Sequence, residues 1–248
     1  MDPDPSELVR NGSGAAEVTT QALRIIVYLV PLTQANINTS FSNIDSTITM
    51  GSNGSDMFDS AGDKVKSPSS LAHVVLRTGN FKPMTDFYIN FLGGELTYGN
   101  DFIAFITYDE EHHRIAIIGV PGTGKKQPTS SGLEHISFAF PTMSDLLVAY
   151  RQRKHRGIEP VWNVNHGPTT SLYYKDPDGN MIETQVDNFD SVEGANAFMS
   201  SPYFAENPIG TDVDPEDLID RLRKGEDDAS LKKRVEIGPR GLPPMDEM

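Results

Sequence analysis

From position 71 onward the chain carries apolar residues in two alternating rhythms, and the whole series is written twice. Leu71-Ala-His-Val-Val-Leu-Arg77 is a short, β-branched apolar run closed by Gly79-Asn80, the pattern of a buried strand. Met84, Phe87, Tyr88, Phe91 and Leu92 then recur at helical spacing as far as Gly93-Gly94, predicting a helix with one apolar stripe. Three strand-like segments follow at 95–99, 102–108 and 113–119, separated by Asn100-Asp101 and Asp109-Glu110-Glu111. Beyond a Gly-, Pro- and Lys-containing loop at 120–132 the order returns. Residues 133–140 read as a strand. Met143, Leu146, Leu147 and Tyr150 mark a helix with Thr142 as N-cap, a basic last turn and Gly157 as its stop. Strands at 159–164, 170–175 and 180–186 complete the set, the last two joined by Asp176-Pro-Asp-Gly179, where Pro177 presets φ and Gly179 accepts a positive one.

The order β-α-β-β-β therefore occurs in tandem, with Leu71-Ala-His73 and Leu133-Glu-His135 at equivalent positions 62 residues apart. Duplication sets the fold class: an α+β chain of tandem βαβββ modules whose curved, open mixed sheet encloses a cavity. The core domain is expected over 69–190, with modules at 69–120 and 131–190. Residues 1–68, rich in Ser, Asn, Gly and Asp, read as a flexible, mostly disordered leader that cannot bury enough surface to offset its ordering entropy. Residues 191–248 read as a C-terminal extension with one short helix at 215–224. It opens on an Asp214 cap and Pro215, and its stripe of Leu218, Ile219 and Leu222 suits the core or a second subunit. The rest of that tail is expected to be loose.

Charge narrows the partners. With 21 basic against 35 acidic residues the net charge is −14, which argues against nucleic acid and against anionic membrane surfaces. There is no cysteine, so disulfides, thiolate metal sites and a cysteine nucleophile are excluded. The longest apolar run, 22–32, is about half a bilayer span and contains Arg24 and Pro31. The acidic start argues against a signal peptide, so a cytoplasmic location is expected and the sequons at Asn11, Asn38 and Asn53 read as chance matches.

Three residues stand out by their place in the repeat. His73 and His135 lie on the equivalent first strands, and Glu183 lies in the last strand of the second module, in Met181-Ile-Glu-Thr-Gln185. If the faces carrying them line the cavity, two imidazoles and a carboxylate converge. A 2-His-1-carboxylate set leaves coordination positions open for substrate and O₂.

The tandem module with His73, His135 and Glu183 resembles the vicinal oxygen chelate superfamily, which includes glyoxalases, bleomycin resistance proteins and dioxygenases. Within it the resemblance is greatest to the type I extradiol ring-cleaving dioxygenases of the 2,3-dihydroxybiphenyl dioxygenase kind, in a single-module form. His112-His113-Arg-Ile-Ala116 is similar to their His-x-x-Ala strand, and the segment from His166 through Tyr173 and Asp176-Pro-Asp-Gly179 to Glu183 resembles their closing segment. The resemblance implies Fe(II), with Mn(II) also suited to the N₂O set, held by His73, His135 and Glu183. It implies His113 as acid/base, and Tyr173 and His166 as hydrogen-bond donors to a bound aromatic diol that is cleaved with O₂. A homo-oligomer is expected.

A four-ligand site of the glyoxalase I kind would need a glutamate on the last strand of the first module, where the candidate positions Ile115 and Ile117 are apolar. The competing expectation is a non-oxidative metal-dependent isomerase, lyase or thiol transferase of the same superfamily. Tyr174 competes with Tyr173, and strand parity selects Tyr173. His112, Glu134 and His155 read as structural or solvent-facing, and Trp162 as a residue that packs or lines the pocket.

Overall fold

The computed structural model describes residues 62–127 and 129–243, and the unit that carries both modules begins at Lys66. The expected leader, the 22–32 run and the three sequons lie almost wholly or wholly outside the described residues. The first module is β1 (Val74–Thr78), α1 (Phe81–Leu92), β2 (Glu95–Gly99), β3 (Ile103–Thr107) and β4 (Ile115–Gly119). β1 pairs in parallel with β4, and the sheet runs β1-β4-β3-β2. A parallel pair needs a crossover between its strands, and α1 lies on that crossover. The second module repeats it with β5 (His135–Phe140), α2 (Met143–Lys154), β6 (Trp162–Asn165), β7 (Thr169–Lys175) and β8 (Met181–Asp187), in the order β5-β8-β7-β6.

Each helix follows from its local sequence. α1 buries Met84, Tyr88 and Phe91 and is closed by Gly93, whose φ of 62° favours a residue without Cβ. α2 starts where the Thr142 side chain accepts from the Asp145 N–H, and it buries Met143, Leu146, Leu147 and Tyr150. The stripes of both helices and the covered faces of both sheets join one apolar cluster that includes Ile106, Ile115, Ile117, Leu172, Tyr174 and Ile182. Burial of each such side chain contributes about 1.5–3 kcal/mol. Between the modules, Phe91 packs edge-on against Tyr174 at 5.0 Å, and Arg153 Nε donates to the Phe91 carbonyl at 2.8 Å.

Because one face of each sheet is taken by this cluster, alternate residues turn to the other face. On the first sheet those are Val75, Ala116 and Phe105, which are register neighbours across β1, β4 and β3. On the second they include Ser137, Glu183 and Tyr173, aligned across β5, β8 and β7. Ile115 and Ile117 point into the core, so they are not the open-face positions of β4; Ala116 and Ile118 are. Neither carries a metal-binding group, so the absence of a glutamate on that strand stands on different residues.

The C-terminal extension departs from expectation. Besides α5 (Pro215–Arg223), capped by Asp214 as expected, it forms α3 (Val192–Met199), α4 (Pro202–Glu206), β9 (Thr211–Asp212) and α6 (Asp228–Lys232). β9 adds to the second sheet beside β6. Leu218, Ile219 and Leu231 enter the chain's own core, so the α5 stripe is not left for a second subunit. Nor is the tail loose up to Arg240: Thr211 Oγ1 donates to the Val235 carbonyl, and Arg240 pairs with Asp212 at 2.7 Å. Among the described residues no helix is long and apolar enough to cross a membrane.

Candidate active site

On the first sheet, His73 directly precedes β1 and His113 lies just before β4. Their rings stand 4.4 Å apart, and His113 stacks on Phe105 at 4.5 Å with an interplanar angle of 15°. His113 is 8 % exposed, and among the described residues its Nδ1 has no hydrogen-bond partner. Burial, followed by the neighbouring His73 and His112, lowers its pKa, so a neutral imidazole is favoured. His112 meets the His113 ring edge-on at 4.4 Å, and its Nδ1 pairs with the Glu111 carboxylate.

On the second sheet, Glu183 is 5 % exposed at the centre of a polar group. His135 Nε2 lies 3.2 Å from its Oε2, and Tyr173 Oη lies 3.0 Å from its Oε1. The same hydroxyl is 2.9 Å from His166 Nε2, while His166 Nδ1 meets the Ile209 carbonyl. Trp162 lies parallel to Tyr173 at 5.0 Å, with its Nε1 donating to Asp212. Tyr174 is fully buried on the opposite face, as strand parity requires.

The charges are set by this packing. Burial alone would raise the Glu183 pKa, but hydrogen bonds from His135, Ser171, Ser137 and Tyr173 outweigh it and hold the carboxyl at about 2. The hydrogen bond to Glu183 raises the His135 pKa against an opposing burial effect. Burial lowers that of His166, and burial followed by the Glu183 charge raises that of Tyr173.

Of the six residues singled out in the sequence, the fold thus joins His135, Glu183, Tyr173 and His166 in one connected group and sets His73 against His113 in another. Among the described residues no three His, Asp or Glu side chains form a metal-holding cluster, so His73 is not gathered with His135 and Glu183 here. The donor chemistry nonetheless fits a divalent cation. Glu183 is a buried anion whose ion-pair partner, among the described residues, is an imidazole and not a lysine or arginine. A buried, ionised carboxylate flanked by an imidazole and a phenol, with no permanently charged partner among the described residues, favours an added cation.

A family model of the glyoxalase/bleomycin resistance protein/dioxygenase superfamily matches residues 70–184, a span that opens three residues before His73 and closes one after Glu183. Biphenyl-2,3-diol 1,2-dioxygenase 3 of Rhodococcus globerulus is 43% identical over 167 residues, covering 66% of this chain and 88% of that protein. The chain belongs to the glyoxalase/bleomycin resistance protein/dioxygenase superfamily. Biphenyl-2,3-diol 1,2-dioxygenase 2 of the same organism is 45% identical over 146 residues, covering 58% of this chain and 77% of that one. A solved glyoxylase/bleomycin resistance protein/dioxygenase domain from Frankia sp. EAN1pec aligns with a TM-score of 0.43 and 20% identity, over 50% of this chain and 96% of that one.

Several residues of this superfamily member's site are not singled out by the sequence patterns. Ser137 and Ser171 could have been found, because each stands two positions from a residue already singled out, His135 or Tyr173, and so shares its strand face. Phe105 carries no chemical signal of its own. Ile209 acts through its carbonyl, to which the side chain gives no clue.

Proposed function

We propose that this protein is a ring-cleaving dioxygenase of the extradiol type, using Fe(II) and O₂ on a catechol-like aromatic diol. The observation that carries this reading is Glu183, a buried, ionised carboxylate held by His135 and Tyr173 with an imidazole as its ion-pair partner. The two Rhodococcus relatives, named as biphenyl-2,3-diol 1,2-dioxygenases, support the reaction class.

His135, Glu183 and His73 are the groups that would hold the ion. A ferrous ion there would supply Lewis acidity toward both diol oxygens and a one-electron centre for O₂. His113 is the general base in this reading: its buried, unpartnered Nδ1 and lowered pKa leave it free to take a hydroxyl proton and return it later. Tyr173 and His166 would orient the diol oxygens. Trp162 fixes Tyr173 by stacking, so the hydroxyl is held without freedom of ring rotation. Phe105 gives His113 an apolar wall that keeps it neutral.

Anaerobic loading of the purified protein with Fe(II), followed by aerobic addition of a panel of catechols, tests this. Uptake of one O₂ per ring with a yellow ring-fission product is the expected result. Activity under nitrogen with Mg(II), Zn(II) or Ni(II), and none with Fe(II) and O₂, would replace the reading with a non-oxidative one.

A further inference from the structure

The C-terminal extension lies outside the span matched by the family model, yet it reaches the innermost polar group of the second sheet. His166 Nδ1 stands 2.5 Å from the Ile209 carbonyl oxygen. A carbonyl only accepts, so Nδ1 carries the proton, and in the neutral ring Nε2 is bare. That bare nitrogen is the one that faces the Tyr173 hydroxyl at 2.9 Å.

The Ile209 carbonyl is itself held in place. Residues 207–210 close on themselves, the Gly210 N–H donating to Asn207 Oδ1 at 2.8 Å and Asn207 Nδ2 to the Gly210 carbonyl at 3.1 Å. Gly210 has φ of +107°, and a Cβ there would lie 2.2 Å from the Asn165 carbonyl oxygen, so the turn presses directly on the backbone beside His166. Arg234, whose side chain is 2 % exposed, ties the two together. Its Nη1 donates to the carbonyls of His166 at 3.1 Å and Asn207 at 2.8 Å, and its Nη2 to that of Tyr203 at 3.1 Å. Glu236 accepts from Nε and Nη2, and the guanidinium lies 4.9 Å from the centre of the Phe198 ring.

We propose that Arg234 is a positioning residue of the active site: by tying the 207–210 turn to the His166 backbone it presents the Ile209 carbonyl to Nδ1 and fixes His166 as the tautomer with a bare Nε2. The tautomer decides the direction of the neighbouring hydrogen bonds. With Nε2 bare, the Tyr173 proton can point to His166. With a proton on Nε2, the Tyr173 hydroxyl would accept from His166 and donate to Glu183. The extension thereby sets the polarity of the His166–Tyr173–Glu183 line. Only the effect on turnover rests on the function proposed above; the tautomer does not.

Nitrogen NMR of ¹⁵N-histidine-labelled, metal-free full chain tests this, with the His166 signals assigned by their loss in His166→Gln. The expected wild-type result is a protonated Nδ1 and an unprotonated Nε2. In Arg234→Met and in Gly210→Ala, both still folded by thermal unfolding, the two signals should move toward averaged values, with partial recovery in Arg234→Lys. On Fe(II)-loaded protein these variants should lose about 10–100-fold in kcat, with KM within about twofold. A wild-type proton on Nε2 overturns the proposal, as do wild-type signals in folded Arg234→Met. If that variant does not fold, Gly210→Ala decides by the same criterion. If the signals move as expected while wild-type enzyme cleaves no catechol, the function proposed above falls and this inference stands.

Discussion

The Tyr173 hydroxyl bridges Glu183 Oε1 at 3.0 Å and His166 Nε2 at 2.9 Å. Its ring is fixed independently by Trp162. Tyr173→Phe therefore removes the bridge without removing the stack. The expected loss is about 1–3 kcal/mol by urea denaturation, because Glu183 stays buried with one donor fewer. Turnover should fall about 10–100-fold. Wild-type turnover in this variant would mean that the hydroxyl does not act on the reacting oxygens.

The His135–Glu183 pair gives the metal-free protein a pH signature. Glu183 titrates at about 2 instead of 4.5, so its contribution to stability is present above the ordinary carboxylate range and is lost as pH falls toward 2. His135 is shifted upward from 6.5, so its contribution is complete below that value and is lost as pH rises through the raised one. The stability difference between wild type and Glu183→Gln should accordingly be widest between about pH 4.5 and 6.5 and narrow on either side. Denaturation midpoints across pH check this, and a difference that does not vary with pH would contradict it.

Phe91 links the modules: it packs on Tyr174, lies 4.0 Å under the Arg153 guanidinium and lends its carbonyl to Arg153 Nε. Phe91→Ala should cost about 3–5 kcal/mol. If the two modules unfold as one unit, the denaturation curve should stay a single transition at a lower midpoint. Two separate transitions would show that each module stands alone.

Gly167, with φ of +103°, lies against Phe198 of α3, and a Cβ there would meet the ring at 2.1 Å. Gly167→Ala should lower stability by about 1–3 kcal/mol. It should also speed amide exchange in Val192–Met199 more than in β5 or β8. Uniform acceleration would mean that α3 is not docked through this contact.

Much of this architecture is legible in the sequence because it rests on local patterns. The stripe of Met84, Tyr88 and Phe91, the Thr142 cap and the Asp176–Gly179 turn each specify their element from neighbouring residues alone. The extension is less legible. α4 and α6 are five residues each, too short to be stable on propensity, and they persist through tertiary contacts. Arg234 sits in a Lys-Lys-Arg run that reads as solvent-facing, although its side chain is almost fully buried. Strand parity puts Glu183 and Tyr173 on one face, as the structure has them, whereas Ile115 and Ile117, expected on the open face of β4, belong to the core. Parity also cannot say which side chains of different sheets meet: His73 stands beside His113, and no metal-holding cluster of His, Asp and Glu forms among the described residues.

Whether His73, His135 and Glu183 bind one divalent ion is tested most directly by iron-edge X-ray absorption on protein loaded anaerobically with one Fe(II). Two imidazoles and a carboxylate in the coordination shell, with one imidazole lost in His73→Ala and the other in His135→Ala, is the expected result. A spectrum without imidazole scattering, or one unchanged by His73→Ala and by Glu183→Gln, would contradict it.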